Sequence, residues 1–364
     1  MAASTLVMHV GIHKTASTYI QHRLKRNQRF LRQQGLLYPG RRRDHMRLVK
    51  ALSQGNLQPW GKLLDRAARK GRTPLVSAEL LSLLLARPSA DGDCSVLAQL
   101  LGFLKERGVG LHLVAFVRDQ PAYLNSRYTQ LLKRFYFALP FERYLSQTMR
   151  AGGESECDYE RLFGEALERS EVRCSLLPFR SGEADPCERL LQAIGVASCA
   201  DLDPLDQRAN AQPGWQAVWI AQRIARRLQR HHLEAWRDAA CKLRIRKGLE
   251  RLAERQGWPA EPFQGLSEPL LARLEHRYGA SNDRFASRVW GCSWRELFPR
   301  PSPALSPEAP RSVEERRQLV ALADQLLADG LASLKGPDQA ERISSKGMRW
   351  KTMPPWRWLS RALR

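Results

Sequence analysis

The chain has 364 residues, 43% of them hydrophobic, with 59 Lys and Arg against 37 Asp and Glu and a formal net charge of +22. This length and apolar content can bury a sizeable core, which excludes global disorder and sets one large domain or two modest ones. The charge attracts anions over the whole surface, so nucleic acid, anionic lipid headgroups, acidic glycans and phosphorylated cofactors all stay as partner classes, whereas the lack of any run of about 18 or more apolar residues excludes a spanning helix.

The first predicted element is a strand over 6–10, because the opening residues read as a short buried strand and lack the basic and apolar regions of a secretory leader. It ends on Gly11, and HVGIHKTASTYIQ (9–21) continues as a strand-to-helix turn. Only Ile12 and His13 separate Gly11 from Lys14, and no second glycine precedes the lysine, so the Walker pattern G-x-x-x-x-G-K-[ST] is absent. The turn still has the parts of a phosphate cradle. The first N–H groups of a helix are unpaired, its dipole is positive there, and Lys14, Thr15, Ser17 and Thr18 add donors. An ordinary turn with a solvated lysine accounts for the same residues. The helix, TYIQHRLKRNQRFLRQQG, carries Ile20, Leu24 and Leu31 on one stripe and stops at Gly35.

Further apolar, β-branched runs at 74–77, 111–117 and 172–178 alternate with helical segments such as VLAQLLGFLKERG. Strands joined by connections of this length imply βαβ units and a parallel sheet. From about 212 the alternation gives way to long Arg-rich helical patterns, and PRPSPALSPEAP (299–310) reads as a linker. The expected division is a domain over 1–298 (α/β to about 210, helical over 211–298), a proline-rich linker at 299–312, and a helix with a basic, tryptophan-bearing tail over 313–364. Seven cysteines without C-x-x-C pairs or metal-ligand spacing argue against a disulfide framework, and a reducing, cytoplasmic setting is expected.

In open α/β sheets ligands gather at the carboxyl ends of strands. After the third run comes VRDQPAYLNSRYTQ, with Arg118 at the strand's end and Ser126 eight positions on, about two turns into a helix begun near Pro121. Guanidinium and hydroxyl can meet a second anion there, or Arg118 can pair with a neighbouring carboxylate and Ser126 face solvent. Two anion sites at neighbouring strand ends describe a nucleotide with phosphates at both ends of one nucleoside.

On these two motifs the sequence resembles the sulfotransferase superfamily, whose sulfuryl donor is 3'-phosphoadenosine-5'-phosphosulfate (PAPS). GIHKTAST is similar to its 5'-phosphosulfate loop, G-x-x-K-[TS]-G-[ST]-[TS], and FVRDQPAYLNSRYTQ to its 3'-phosphate motif. Weaker likenesses in PLVSAELLS, VRCSLLPFRSGEADPCERLLQAIGV and the closing YGASNDRFASRVWGCSWRELFP extend it over about 6–298. The resemblance implies a P-loop-like three-layer α/β/α fold with a central parallel sheet, extended by a mainly helical C-terminal part. It further implies that Gly11, His13, Lys14, Thr15, Ala16, Ser17 and Thr18 hold the 5' end of PAPS, that Arg118 and Ser126 hold the 3'-phosphate, and that PAP (adenosine 3',5'-bisphosphate) is the product. Ala16 replaces the family's usual glycine, so the backbone there is expected to take helical or extended dihedrals, which alanine permits.

Under that reading Lys14 neutralises charge on the bridging oxygen, and no metal is expected. Glu79, following PLVS, is the first candidate for general base, with helix capping from a first turn begun near Ser77 as its other role. His45 and His13 are further candidates, and Arg208 with Asn210 can reach donor or acceptor from DQRANAQ. The acceptor is a hydroxyl, expected on a carbohydrate or glycolipid. The basic face of the helix after Trp215 is either a solvated surface or a guide for an anionic acceptor. The tail RWKTMPPWRWLSRALR is expected either to lie on an anionic membrane surface, at the inner face, or to be disordered or docked on the protein's own core. Two other classes compete: a P-loop kinase, weakened by the missing glycine and Mg²⁺-holding acid, and a basic nucleic-acid-binding protein, for which no recognised motif is present.

Overall fold

The computed structural model describes residues 4–150, 156–180, 182–205, 212–307, 309–332 and 334. In chain order the elements are β1 Ser4–His9, α1 Ser17–Arg26, α2 Gln28–Gln33, β2 Leu36–Leu37, α3 Arg42–Leu52, α4 Gln58–Arg69, β3 Thr73–Ser77, α5 Leu81–Leu85, α6 Val96–Lys105, β4 Val109–Val117, α7 Gln120–Leu132, α8 Phe141–Arg150, α9 Tyr159–Glu168, β5 Val172–Pro178 and α10 Pro186–Ala193. There follow α11 Trp215–His231, α12 Leu233–Arg237, α13 Ala239–Arg255, β6 Gly265–Leu266, α14 Glu268–Trp290, α15 Trp294–Leu297, β7 Ala304–Leu305 and α16 Val313–Ala332.

Five strands form a parallel sheet in the order β2-β3-β1-β4-β5. All four expected strands are present, and they read as near-continuous apolar runs because both faces are covered. On one face Val7, Leu75, Val114 and Phe116 pack against Ile20, Leu24, Leu31, Leu190 and Leu191 of α1, α2 and α10. Successive side chains alternate across a strand, so Leu113 points the other way, towards α5, α6 and α9. The chain passes from β1 to β2 and β3 on one side and then to β4 and β5 on the other. Its topological switch point therefore lies between the carboxyl ends of β1 and β4.

Two local features depart from the expected pattern. The first crossover helix breaks at Asn27, whose buried amide donates to the Arg23 and Asp203 carbonyls and accepts from Asp203 N–H. A two-residue edge strand, β2, precedes β3 in the sheet although LLYP is too short to show a period.

The chain separates into two compact units, one of Met1–Tyr123, Ser155–Ala209 and Leu274–Arg300, the other of Leu124–Glu154, Asn210–Arg273 and Pro301–Arg364. The first holds the sheet. In the second, α11, α13 and α16 pack together through Ile220, Ile224, Leu228, Leu249, Leu319, Ala323 and Leu327. Gly330 permits the close approach of α16 to α13, since a Cβ there would lie 2.3 Å from Ile245 Cγ1. Arg227 on the basic face of α11 pairs with Asp324 of α16. The proline-rich stretch contributes β7, antiparallel to β6, with Ser306 N–H donating to the Gln264 carbonyl. The basic tail lies outside the described residues, and no helix among those described is long and apolar enough to cross a membrane.

Candidate functional site

The cradle after β1 is built by the strand ladder running out. Val10 N–H still bonds to the Val114 carbonyl at 2.9 Å, and the chain then turns through Gly11–Ala16 into α1. Gly11 leaves room for the Ser17 hydroxyl, because a Cβ would stand 2.4 Å from Ser17 Oγ and turn that side chain away from where it lies. Lys14 (φ 67°) and Ala16 (φ 59°) both adopt left-handed backbone. This corrects the expectation of ordinary dihedrals at Ala16: the turn needs the glycine geometry and takes it with alanine. Left-handed backbone costs an L-residue about 1 kcal/mol or more. Ala16→Gly is therefore expected to stabilise the protein by about 0.5–1 kcal/mol, after allowing for glycine's larger chain entropy, measured as a rise in denaturation midpoint.

The hydroxyls of the turn act differently from one another. Thr15 Oγ1 is fully buried and donates to the Ile12 carbonyl at 2.6 Å, and Ser17 Oγ reaches the same carbonyl at 3.4 Å. These two brace the loop, so as placed their protons are not offered to a ligand. Thr18 is exposed at the start of α1. No side chain caps this helix and no acid stands in its first turn, which leaves its positive end open to an anion.

Arg118 emerges at the end of β4 beside the cradle. Its Nη1 donates to the Lys14 carbonyl at 2.8 Å, and its own carbonyl accepts from Tyr159 Oη at 2.5 Å. Asp119 is engaged elsewhere, accepting from Trp294 Nε1 at 3.0 Å and lying 3.5 Å from Arg295. Among the described residues no carboxylate forms a salt bridge with Arg118, and burial lowers its tendency to hold charge. A bound anion would offset that cost. Tyr159 stacks on Trp294 at 5.7 Å, so the closing WGCSWRELFP segment buttresses the end of β4.

Glu79 lies in the turn between β3 and α5. The helix begins at Leu81 with no acid in its first turn, so the capping role does not hold. Ser77, the expected helix start, instead ends β3. Ser82 Oγ donates to the Gly11 carbonyl at 3.3 Å and fastens this turn to the cradle. Glu79 Oε2 stands 3.6 Å from His13 Nε2, and His13 Nδ1 donates to Glu156 Oε1 at 2.5 Å. Tyr123 Oη donates to the other Glu156 oxygen at 2.5 Å. One imidazole thus sits between two carboxylates, the outer one a quarter exposed and the inner one buried. Removing the inner carboxylate strips a buried ring nitrogen of its partner, which costs about 1–3 kcal/mol. Glu156→Ala is expected to lose that much stability in denaturant unfolding, and Glu79→Ala less than half of it.

His45 is corrected from a loop base to a structural group. It lies in α3, is 3% exposed, accepts Ser77 N–H at Nδ1 (3.3 Å) and donates from Nε2 to the Pro39 carbonyl at 2.7 Å. Both nitrogens are used, and burial lowers its affinity for a proton. Ser126 is buried in α7, where its carbonyl accepts from Thr129 Oγ1. Arg208 and Asn210 lie outside the described residues. Glu156 and Tyr123 were not anticipated. Glu156 comes from an aperiodic, glycine-rich stretch 143 residues from His13, and no spacing rule links such positions.

Fold and site together define an α/β protein with a cationic strand-to-helix cradle at the switch point of a five-stranded parallel sheet. Compared with family models, with curated proteins and with solved structures, the chain has no match in any of the three.

Proposed function

We propose that the chain is a PAPS-dependent sulfotransferase of P-loop-like fold that transfers a sulfuryl group to an acceptor hydroxyl, on a carbohydrate or glycolipid, at the cytoplasmic side of the cell. The observation that carries this reading is the bond from Arg118 to the Lys14 carbonyl, which ties the end of β4 to the cradle after β1 at the switch point. In this reading the open end of α1 and Lys14 take the 5'-phosphosulfate, and Arg118 takes the 3'-phosphate. The acceptor oxygen attacks sulfur in line as the bond from sulfur to the bridging oxygen breaks. Lys14 neutralises the charge left on the departing phosphate, and PAP is released. Glu79, partly exposed beside the cradle, takes the hydroxyl proton. His13, its Nδ1–H held by Glu156, turns Nε2 towards Glu79, where it can accept from the carboxyl once that group has taken the proton.

Retention on immobilised adenosine 3',5'-bisphosphate tests the reading. Retention without Mg²⁺, with elution by the free bisphosphate, is expected. Passage through the column, or elution by salt alone, overturns it, and a requirement for Mg²⁺ and ATP in transfer would point to a kinase.

A further inference from the structure

In the sheet-bearing unit a groove of about 630 Å³ runs along the edge strand β2 between α2, α3 and α4. Seven cations line it, among them Arg41, Lys62, Arg66 and Lys70, against one carboxylate, Asp44. No salt bridge among the described residues engages any of the seven. On α4 and just beyond, Lys62, Arg66 and Lys70 recur at every fourth residue, which spaces exposed charges about 6 Å apart along one helix face. The side-chain nitrogen of Gln28, also in the wall, is buried without a hydrogen-bond partner. Like charges gathered without counter-ions are costly unless a polyanion visits them.

The walls decide which polyanion. Leu31, Leu36, Leu48 and Leu63 form a floor no more than 9% exposed, so no apolar recess is open to a peptide side chain. The lone aromatic ring of the lining, Tyr38, is 6% exposed and packed on His45 at 4.7 Å, so no ring face is offered to a nucleobase. What is offered is guanidinium, ammonium and amide, which suits a chain carrying both negative charges and hydroxyls. We infer that this groove binds an anionic polysaccharide.

Its position gives the site a use. The Tyr38–Arg41 end lies at the carboxyl end of β2, and β3, the next strand, leads at its own carboxyl end to Glu79. Neighbouring strands are about 4.8 Å apart, and His45 ties the α3 wall to Ser77. Leu37 pairs with Pro74, five residues before Glu79, so a polysaccharide that continues past this end of the groove along β3 approaches the candidate base. That role as acceptor seat rests on the sulfotransferase reading; the binding does not.

The test is fluorescence anisotropy with a labelled oligogalacturonate, read against a neutral oligosaccharide of the same length, which is expected not to bind. The charge-reversed K62E/R66E/K70E protein is expected to bind about tenfold more weakly or worse, with a shallower salt dependence. An R226E/R230E/R237E control, with the same charge change on α11 and α12, is expected to bind as wild type. Far-ultraviolet circular dichroism checks folding, and K62Q/R66Q/K70Q replaces the first variant if it misfolds. Equal weakening in the α11 and α12 control, no weakening in the groove variant, or tighter binding of single-stranded oligonucleotide or polyglutamate each overturns the inference. Lys14→Ala separates the two readings: it is expected to keep oligogalacturonate binding while losing retention on the bisphosphate.

Discussion

Replacement of Lys14 by alanine is expected to lower kcat/KM for sulfuryl transfer by about a thousandfold, the scale at which one preorganised group facing transition-state charge acts, or about 4 kcal/mol. The substitution is clean in one respect. Lys14 stands at φ 67°, and alanine meets the same left-handed cost, so the loop is not relaxed by the change. Arg118→Ala is expected to act differently, raising KM for the donor about ten- to a hundredfold through loss of a charge-assisted contact worth about 1.5–3 kcal/mol. Part of that loss comes through the loop, since the variant also removes the 2.8 Å bond to the Lys14 carbonyl. Steady-state kinetics with labelled donor separate the two effects. Wild-type kinetics in both variants would remove the cradle from the mechanism.

Acidification is the second large lever. Burial pushes the affinity of His9 for a proton down to about 4, and burial with the nearby Arg173 charge does the same to His112. Each is neutral in the fold and protonates in the unfolded chain near 6.5. Between those values the unfolded state binds more protons, so stability is full above about pH 6.5 and falls as pH drops towards 4, by about 3 kcal/mol for His9 alone. Asp119 has the opposite sign. Burial raises it to about 6, so the fold holds its proton more tightly than the unfolded chain, and stability declines as pH rises from about 4 to 6. Two histidines against one aspartate leave a net loss on acidification of about 3 kcal/mol. Urea unfolding at pH 7 and pH 4.5 measures it. His9→Asn, which retains a donor and acceptor near the Ser77 hydroxyl bonded by Nδ1 at 2.8 Å, is expected to remove nearly all of the net acid loss, because the opposed contributions of His112 and Asp119 then nearly cancel. A flat profile in the wild type, or an unchanged slope in the variant, contradicts the assignment.

Much of the candidate site was legible because its parts are local. The cradle, the end of β4 and the start of α7 each occupy a few consecutive residues, and a strand end followed by a helix start is written in hydrophobic period and in Gly11 and Pro121. The roles of the hydroxyls were not legible. Thr15 and Ser17 look like ligand donors in one dimension, but the chain's own Ile12 carbonyl claims them first, since a buried carbonyl must be paired. His45 illustrates the same point: a polar neighbourhood in sequence became a helix face packed on Tyr38, with both ring nitrogens bound to backbone.

The amino-acid order by itself determined the alternation of strands and helices, the parallel sheet this implies, the cationic balance and the two motifs at strand ends, because each follows from short-range periodicity, composition or turn chemistry. Only tertiary structure decided that β1 and β4 are neighbours, that Glu156 stands behind His13, and that unpaired cations from three helices and their loops border one groove. Those facts join positions scores of residues apart, and their cause is the shared burial of apolar faces, which no local pattern encodes.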